Sequence, residues 1–174
     1  MPNNSEQNNI VLVGFMGAGK TTIGKLLAKS MGCSFIDTDA EIEKEEGLSV
    51  AQIFEKKGEG YFRKLESNFI TNVSRNKCII ATGGGMPCYN DNITKLKVLG
   101  TVVFINTSFD SIIERLKLSQ GSRPLLKSSL GNEQGELLSL FLERQQIYKA
   151  SDKVVAGDSN PSFIVEEIRK IVSI

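Results

Sequence analysis

The segment Val11–Thr22, VLVGFMGAGKTT, places a glycine-rich turn directly after a short apolar run. The turn satisfies the P-loop pattern G-x-x-x-x-G-K-[ST] through Gly14, Gly19, Lys20 and Thr21. Apolar residues then recur at helical spacing, at Ile23, Leu26, Leu27 and Met31. In such a unit, backbone N–H groups and the helix N-terminus bind phosphate, the lysine reaches the outer phosphates and the threonine hydroxyl ligates Mg²⁺. The segment therefore predicts a buried strand, a phosphate-binding loop and a helix, in that order.

Short apolar runs alternate with helical patterns along the rest of the chain. The runs predict five strands, at Ile10–Val13, Ser34–Asp37, Cys78–Thr82, Thr101–Ile105 and Lys153–Ala156. The helical patterns lie at Thr22–Met31, Ala40–Glu46, Val50–Lys57, Gly60–Ser74, Asp91–Leu99, Phe109–Leu118, Gly135–Ala150 and Pro161–Val172. The strands are mostly apolar rather than alternating, which is typical of strands buried on both faces. We expect a three-layer α/β/α fold in which helices cover both faces of a central five-stranded parallel sheet.

The chain of 174 residues is long enough for one domain that needs no disulfide or metal for its stability. Residues 1–9 are a polar tail with neither the basic start nor the apolar core of a secretion signal. Ser119–Gly135 is rich in Gly and Ser, and a loop of that length within a compact domain is usually functional or disordered. We predict a single domain over residues 1–174 with a long mobile loop at residues 119–135.

The charge balance and the scarce residue types disfavour several classes of function. Lys and Arg number 21 against 20 for Asp and Glu, so the net charge of +1 gives no electrostatic basis for binding nucleic acid or an anionic membrane. No apolar run approaches the roughly 18 residues of a membrane span. Three cysteines without a C-x-x-C pair are typical of reduced thiols, and we expect a soluble, cytoplasmic protein. Because histidine is absent, zinc is disfavoured and acid–base chemistry falls to carboxylates, Lys, Tyr or Cys.

The second predicted strand ends in FIDTDAEIE, with Asp37 and Asp39 two positions apart. Residues i and i+2 of a strand point the same way, so both carboxylates are expected to face the crevice at the carboxyl ends of the strands. One carboxylate can then serve a metal and the other a substrate hydroxyl. A solvated turn is the alternative.

A P-loop occurs in switch GTPases, ATP-driven motors and small-molecule kinases. The guanine-reading N-K-x-D is absent, since NKCI at 76–79 lacks the aspartate, and no D-x-x-G follows the strands. The chain also lacks the bulk of a motor domain. These absences favour a small-molecule kinase, while a non-catalytic binding domain of the same fold and a nucleotide switch remain as alternatives.

Two arginines and a glycine triplet complete the candidate residues. Arg63 and Glu66 have i, i+3 spacing, which also fits a surface ion pair. The triplet Gly83–Gly85 follows the third strand, where many P-loop proteins carry a metal-binding aspartate, and it permits unusual dihedrals and close backbone approach to a ligand. Arg144 lies on the apolar face of its predicted helix, and a buried charge needs a partner. That partner is either an internal carboxylate or an anionic ligand.

These motifs also occur together in a specific order. GFMGAGKTT, DTDAEIE, FRKLE, ATGGG, RPLL and an arginine on the following helix succeed one another between Ile10 and about Ile171. In this combination the chain resembles shikimate kinase over nearly its whole length. The resemblance implies a P-loop kinase fold with a mobile lid at residues 119–135. It implies transfer of the γ-phosphoryl group of ATP, with Mg²⁺, to the 3-hydroxyl of shikimate, in the route to chorismate and the aromatic amino acids.

The resemblance implies roles for individual residues, motif by motif. The implied ATP-binding residues are Gly17, Ala18, Gly19, Lys20, Thr21, Thr22, Arg115, Arg123 and Ser159. The metal would be held by Thr21 and, through water, by Asp37. The implied substrate-binding residues are Asp39, Arg63, Glu66, Gly83, Gly84, Gly85 and Arg144. Catalysis would fall to Lys20, to Asp39 as base, and to Arg123 on the closing lid.

Some details of the resemblance are less specific. Arg115 is a candidate to stack on adenine, and Ser159 lies in AGDSNP, Ala156–Pro161, which resembles the adenine-side loop without a basic residue. Cys88 has no matching role. The nearest alternative is another small-metabolite kinase, such as a gluconate or dephospho-coenzyme A kinase, which lacks this pairing of FRKLE with GGG and the later arginine. We expect a monomer with ATP and shikimate as its partners.

Overall fold

The computed structural model describes residues 9–74, 76–119 and 132–172. Within these ranges, one sheet has the strand order β2-β3-β1-β4-β5. The strands are β1 Ile10–Val13, β2 Ser34–Asp37, β3 Cys78–Ala81, β4 Thr101–Asn106 and β5 Lys153–Ala156. Every neighbouring pair of strands is parallel. The predicted five-stranded parallel sheet is therefore confirmed, with β1 at its centre.

The helices lie close to their predicted positions, with ends that differ by a few residues. They are α1 Lys20–Met31, α2 Thr38–Glu46, α3 Val50–Lys57, α4 Glu59–Asn72, α5 Asn92–Leu99, α6 Phe109–Leu118, α7 Asn132–Tyr148 and α8 Pro161–Ile171. A short 3₁₀ turn, Met86–Cys88, follows β3. No helix in the described ranges is both long and apolar enough to cross a membrane.

Alternation along β1 separates the two main hydrophobic cores. Ile10 and Leu12 pack into the core that contains residues of α1 and α8, while Val11 and Val13 pack into the core that contains residues of α4 to α7. All four side chains are buried. Helices therefore cover both faces of the sheet, and the predicted three-layer α/β/α architecture is confirmed.

Helices α2, α3 and α4 share a third, smaller core. It is formed by Ile42, Ile53 and Phe62, one residue from each helix. These three helices therefore pack on one another as a unit after the end of β2, and they carry Asp39, Arg63 and Glu66.

Two predicted loop boundaries differ from the structure. Asn9, the last residue of the predicted polar tail, is buried because its side chain donates to the Leu99 carbonyl at 3.0 Å and accepts from the Cys78 N–H at 3.1 Å. The predicted loop at 119–135 ends earlier, since α7 begins at Asn132. Residues 120–131, including Arg123, lie outside the described residues.

Candidate active site

The P-loop connects β1 to α1 and brings a buried lysine across its own backbone. Gly17 and Gly19 have φ angles of 78° and 95°, a conformation that favours glycine. Gly19 occupies the N-cap of α1 and provides no side-chain hydrogen bond, so no N-cap side chain competes for the first N–H groups of the helix. The Lys20 Nζ donates to the carbonyl oxygens of Gly14 and Phe15 at 2.7 and 2.9 Å. The loop therefore holds its ammonium group beside the backbone that would surround a phosphate.

Thr21 and Asp37 form a hydroxyl–carboxylate pair at the carboxyl end of the sheet. The Thr21 Oγ1 donates to Asp37 Oδ2 at 2.8 Å. The other carboxylate oxygen, Oδ1, accepts from the backbone N–H groups of Asp39 and Ala40 at 3.1 and 3.3 Å. Asp37 is thus the N-cap of α2, which fixes the carboxylate next to the P-loop threonine.

The prediction that Asp37 and Asp39 share a strand face is wrong, although the two residues do lie close together. The strand ends at Asp37 and the helix begins at Thr38, because the Asp37 side chain caps the first turn of α2. Asp39 therefore projects from the first turn of a helix rather than from a strand. A side chain at Gly83 would collide with the Asp39 carboxylate, so Asp39 packs against the glycine triplet.

The glycine triplet is needed for close packing rather than for unusual dihedrals. None of its three members is among the described glycines with positive φ, which corrects the dihedral part of our prediction. A Cβ on Gly84 would lie 3.2 Å from the Met16 backbone nitrogen, and a Cβ on Gly85 would lie 2.6 Å from the Arg63 Nη1. Gly83 also donates its N–H to the buried Thr38 Oγ1 at 2.9 Å. The triplet thus contacts the P-loop, α2 and α4 together.

Arg63 is mostly buried, so the alternative of a surface ion pair with Glu66 is wrong. The Arg63 and Glu66 side chains are 11% and 1% exposed. Arg63 Nη1 donates to Glu66 Oε2 at 2.8 Å, while Nε and Nη2 donate to Glu59 Oε1 at 3.1 and 2.8 Å. These bonds use three of the five guanidinium N–H groups. One N–H on each terminal nitrogen is not used by these bonds.

Glu66 is a buried carboxyl group with an unusual proton affinity. Burial raises the pKa of Glu66 to about 7; the hydrogen bond and charge of Arg63 oppose this rise, and the charge of Asp39 adds to it. Its Oε1 is buried and has no hydrogen-bond partner among the described residues. Glu66 therefore retains an acceptor that a ligand or water can use.

Arg144 is a buried cation on α7. Its side chain lies over the ring of Phe15, with the guanidinium carbon 5.8 Å from the ring centroid. Within the described ranges, no carboxylate forms an ion pair with Arg144. One helical turn later, the buried Tyr148 donates its hydroxyl to the Gly84 carbonyl at 2.6 Å. This bond ties the helix that carries Arg144 to the glycine triplet. The lack of an ion pair with a described carboxylate favours an anionic ligand over an internal carboxylate as the partner of Arg144.

A second group of residues surrounds a cavity of about 260 Å³ on the other side of the P-loop. The cavity is lined by Ala18, Gly19, Thr22, Ile23, Arg115, Gly157, Ser159, Pro161 and Ile164. Arg115 donates from Nη1 to the Ala18 carbonyl at 3.2 Å and from Nη2 to the Gly157 carbonyl at 2.9 Å. Arg115 and Ser159 are therefore brought together with the predicted nucleotide-binding loop.

The structure thus brings together every predicted site residue in the described ranges, in two adjoining groups. Sequence reasoning missed Thr38, Tyr89 and Tyr148. Tyr148 was detectable in part, since it lies four positions after Arg144 on the same helical face. Tyr89, whose ring lies 4.0 Å from the Arg63 guanidinium carbon, had no signal that separates it from an ordinary loop residue.

A parallel sheet of this order, with a P-loop after its central strand and an arginine-containing crevice beside it, defines the class of P-loop kinases that act on small molecules. Comparison with known proteins narrows the class. The family model described as shikimate kinase matches residues 16–173. The chain therefore belongs to the shikimate kinase family.

Individual relatives agree with the family match. The chain is 45% identical to a shikimate kinase of Aquifex aeolicus over 160 residues, covering 91% of this chain and 92% of the relative. A crystal structure of the Bacteroides thetaiotaomicron shikimate kinase superposes with a TM-score of 0.91 at 30% identity, covering 96% and 99% of the two chains. The Acinetobacter baumannii shikimate kinase, solved in complex with shikimate, superposes with a TM-score of 0.85 at 34% identity, covering 97% and 94%.

A gluconate kinase, the alternative named above, resembles this chain in fold alone. A gluconokinase of Sinorhizobium meliloti superposes with a TM-score of 0.63 at 18% identity, covering 96% of this chain and 92% of that one. At such low identity the comparison shows a shared architecture and gives no information about the substrate.

Proposed function

We propose that the protein phosphorylates shikimate, transferring the γ-phosphoryl group of ATP to the 3-hydroxyl to give shikimate 3-phosphate. The observation that carries this proposal is Arg144, a buried cation that forms no ion pair with a carboxylate among the described residues. Burial raises the pKa of Glu66, which is the partner of Arg63, and the charge of Arg144 opposes this rise, so the two arginines lie in the same part of the crevice. A small substrate with a carboxylate would supply the missing negative charge. Shikimate is such a molecule, and its hydroxyls match the acceptors nearby.

The substrate carboxylate binds Arg63 and Arg144 in this proposal. Arg63 offers the two N–H groups that Glu59 and Glu66 leave unused, and Arg144 approaches from α7. The Gly83–Gly85 backbone closes the same pocket, since Gly85 packs on Arg63 and Gly84 is tied to Tyr148. Glu66 orients Arg63 and presents its unused oxygen to a substrate hydroxyl or a bridging water.

Asp39 is the proposed base. Its carboxylate packs against Gly83, between the P-loop side and the arginine side of the crevice. As the 3-hydroxyl oxygen bonds to the γ-phosphorus, Asp39 accepts the hydroxyl proton and ADP leaves. Phosphoryl transfer depends mainly on positioning and charge stabilisation, which Lys20 supplies when it exchanges its carbonyl partners for phosphate oxygens.

Thr21 and Asp37 fit a magnesium ion. A hydroxyl and a carboxylate oxygen 2.8 Å apart are hard donors at the edge of the P-loop. Mg²⁺ commonly takes one or two protein ligands and completes its shell with phosphate oxygens and water. When bound with ATP, the ion would neutralise charge on the phosphates.

Gly17 to Thr22 and the adjoining cavity bind the nucleotide in this proposal. The phosphates occupy the P-loop and the adenine enters the cavity between Arg115 and Ser159. Arg123 remains a proposed catalytic residue on the grounds of sequence resemblance. Mg²⁺ as cofactor, a cytoplasmic location and a monomeric state also remain predictions, which metal titration, cell fractionation and sedimentation would test.

A coupled assay of ADP formation tests the function against its alternatives. Purified protein with MgATP is given shikimate, gluconate, dephospho-coenzyme A or no acceptor. We expect rapid ADP formation with shikimate alone, and its loss in Lys20→Met, which removes the phosphate-binding ammonium group. A higher rate with another acceptor, or a rate that no acceptor changes, would refute the proposal.

A further inference from the structure

Tyr89 makes the shortest aromatic contact of the Arg63 guanidinium. The Arg63 Cζ lies 4.0 Å from the centroid of the Tyr89 ring, against 5.7 Å for Phe54 and 5.6 Å for Phe62. All three distances lie within the roughly 6 Å of a cation–π contact. At 4.0 Å, however, the ring is at van der Waals distance and restricts the guanidinium directly, whereas the more distant rings do not.

The segment that carries Tyr89 contacts Arg63 a second time. This turn segment, residues 85–89, begins at Gly85, whose added Cβ would lie 2.6 and 2.8 Å from Arg63 Nη1 and Nη2. Backbone and side-chain bonds hold it in place. Cys88 N–H donates to the Gly85 carbonyl at 2.9 Å, and the buried Asn92 donates from its side chain to the Met86 carbonyl at 2.9 Å. The guanidinium therefore packs on a hydrogen-bonded piece of backbone and on the ring that follows it in the chain.

The carboxylates around Arg63 contact the edges of its guanidinium, whereas Tyr89 presents a ring to it. Glu59 and Glu66 bond to the edges of the guanidinium. The Glu59 side chain is 51% exposed, and an exposed ion pair of this kind restrains the guanidinium only weakly. Hydrogen bonds along the edge restrain tilting of the guanidinium plane less directly than a contact over the ring of Tyr89, 4.0 Å from Cζ. Bidentate binding of a carboxylate depends on the orientation of that plane.

We propose that Tyr89 is a positioning residue for Arg63, and that its ring sets the affinity of the site for the carboxylate of the substrate. The proposal rests on the proposed function for the identity of that substrate. The hydroxyl has a lesser part: the pKa of Glu59 is lowered chiefly by its hydrogen bond from Arg63, and a hydrogen bond from Tyr89 acts in the same direction. The proposal assigns the effect to the ring because the ring makes the 4.0 Å contact with the guanidinium.

The kinetic test compares Tyr89→Leu with Tyr89→Phe. Tyr89→Leu removes the ring, and we expect the KM for shikimate to rise about tenfold, which corresponds to about 1.4 kcal/mol, with the KM for ATP unchanged. Tyr89→Phe keeps the ring and should behave like the natural protein. Tyr61→Leu is the matched control. The Lys57 Nζ lies 4.6 Å from the centroid of the Tyr61 ring, and Tyr61 makes none of the described contacts of Arg63. Tyr61→Leu should leave the KM for shikimate unchanged.

The methyl ester of shikimate separates positioning from a general loss of structure. The ester keeps the hydroxyls and lacks the negative charge, so Tyr89→Leu should reduce kcat/KM much less for the ester than for shikimate. Equal reductions for both compounds, or no rescue in Tyr89→Phe, would overturn the proposal. If the natural protein does not phosphorylate shikimate at all, the proposed function fails instead.

A measurement without substrate tests the positioning itself. The ¹⁵N NMR signal of the Arg63 Nε–H should be sharp and slow to exchange in the natural protein, in Tyr89→Phe and in Tyr61→Leu. It should broaden or exchange rapidly in Tyr89→Leu, because the guanidinium plane is released. An unchanged signal in Tyr89→Leu would show that the two glutamates alone hold Arg63 and would overturn the proposal.

Discussion

At the scale of single residues, the two arginines of the crevice differ in how their charge is balanced. Arg63 bonds to Glu59 and Glu66, whereas Arg144 forms no ion pair with a carboxylate in the part of the chain that the structure describes. Burial raises the pKa of Glu66, so its carboxylate balances the charge of Arg63 less fully than an exposed carboxylate would. The substrate carboxylate is proposed to balance the charge of Arg144.

Replacing Asp39 tests the proposed base. Asp39→Asn keeps the shape and removes proton acceptance, so turnover should fall about 10²- to 10⁴-fold while MgATP binding persists. Steady-state kinetics and calorimetry with ATP measure the two quantities. Asp91→Asn, at an exposed position whose side chain accepts from Thr94 Oγ1, should retain turnover. Near-normal turnover in Asp39→Asn would remove Asp39 from the mechanism.

Replacing Arg144 tests the anionic ligand. Arg144→Ala should weaken shikimate binding by about 2 kcal/mol or more, the range for lost charge-assisted hydrogen bonds, and leave ATP affinity nearly unchanged. Arg169→Ala on the exposed face of α8 is the matched control and should change neither affinity. If calorimetry showed equal losses for both ligands in Arg144→Ala, a structural role would explain the buried charge better.

Residues with a local motif were predictable, whereas the contacts that join distant segments were not. Lys20 and Thr21 follow from the P-loop pattern, whose spacing fixes their positions. Thr38 bonds to a residue 45 positions away, and Tyr148 to one 64 positions away. Nothing in the neighbouring sequence of either residue specifies those contacts.

At the scale of elements, the glycine triplet links three helices and the P-loop. It contacts α2 through Thr38, α4 through Arg63 and α7 through Tyr148. The sequence predicted close approach of the triplet backbone to a ligand, which stays a prediction, and it placed Asp39 on a strand. The helix starts two positions earlier because Asp37 caps it, and a cap is decided by side-chain geometry that strand periodicity does not include.

A matched pair of glycine substitutions tests the triplet. In Gly85→Ala the new Cβ would lie 2.6 Å from Arg63 Nη1, so the guanidinium must shift. We expect a higher KM for shikimate with an unchanged KM for ATP. Gly60→Ala lies on α4 with nothing within 4 Å of its added Cβ, and should keep both values. Unchanged kinetics in Gly85→Ala would show that Arg63 is free to move without cost.

At the scale of the whole molecule, the strand order explains the arrangement of the site. Neighbouring strands β2, β3 and β1 lead into Asp37, the glycine triplet and the P-loop, while β4 and β5 precede α6 and α8, whose ends line the cavity. The carboxyl ends of all these strands meet at one edge. The parallel sheet was predictable from apolar runs and alternating helices. The order of its strands was not predicted, because order depends on pairing between distant segments.

Glu66 should make the stability of the whole molecule depend on pH. Its folded pKa of about 7 exceeds the ordinary 4.5, so the folded state binds more protons between these values. The free energy of unfolding should therefore fall as pH rises from about 4.5 to about 7. Glu66→Gln lacks this titration, so the difference in unfolding free energy between the natural protein and the variant should change across that window. A difference that stays constant with pH in urea unfolding would contradict the raised pKa.

The position of the transferred phosphate tests the proposed reaction most directly. Purified protein is incubated with MgATP and shikimate, and ¹H–³¹P correlation NMR identifies the product. We expect one phosphate ester, coupled to the proton on carbon 3, because in the proposed binding mode Asp39 and the two arginines orient that hydroxyl toward the P-loop. Lys20→Met should give none. Inorganic phosphate alone, or an ester on another hydroxyl, would contradict the proposed orientation of the substrate in the crevice.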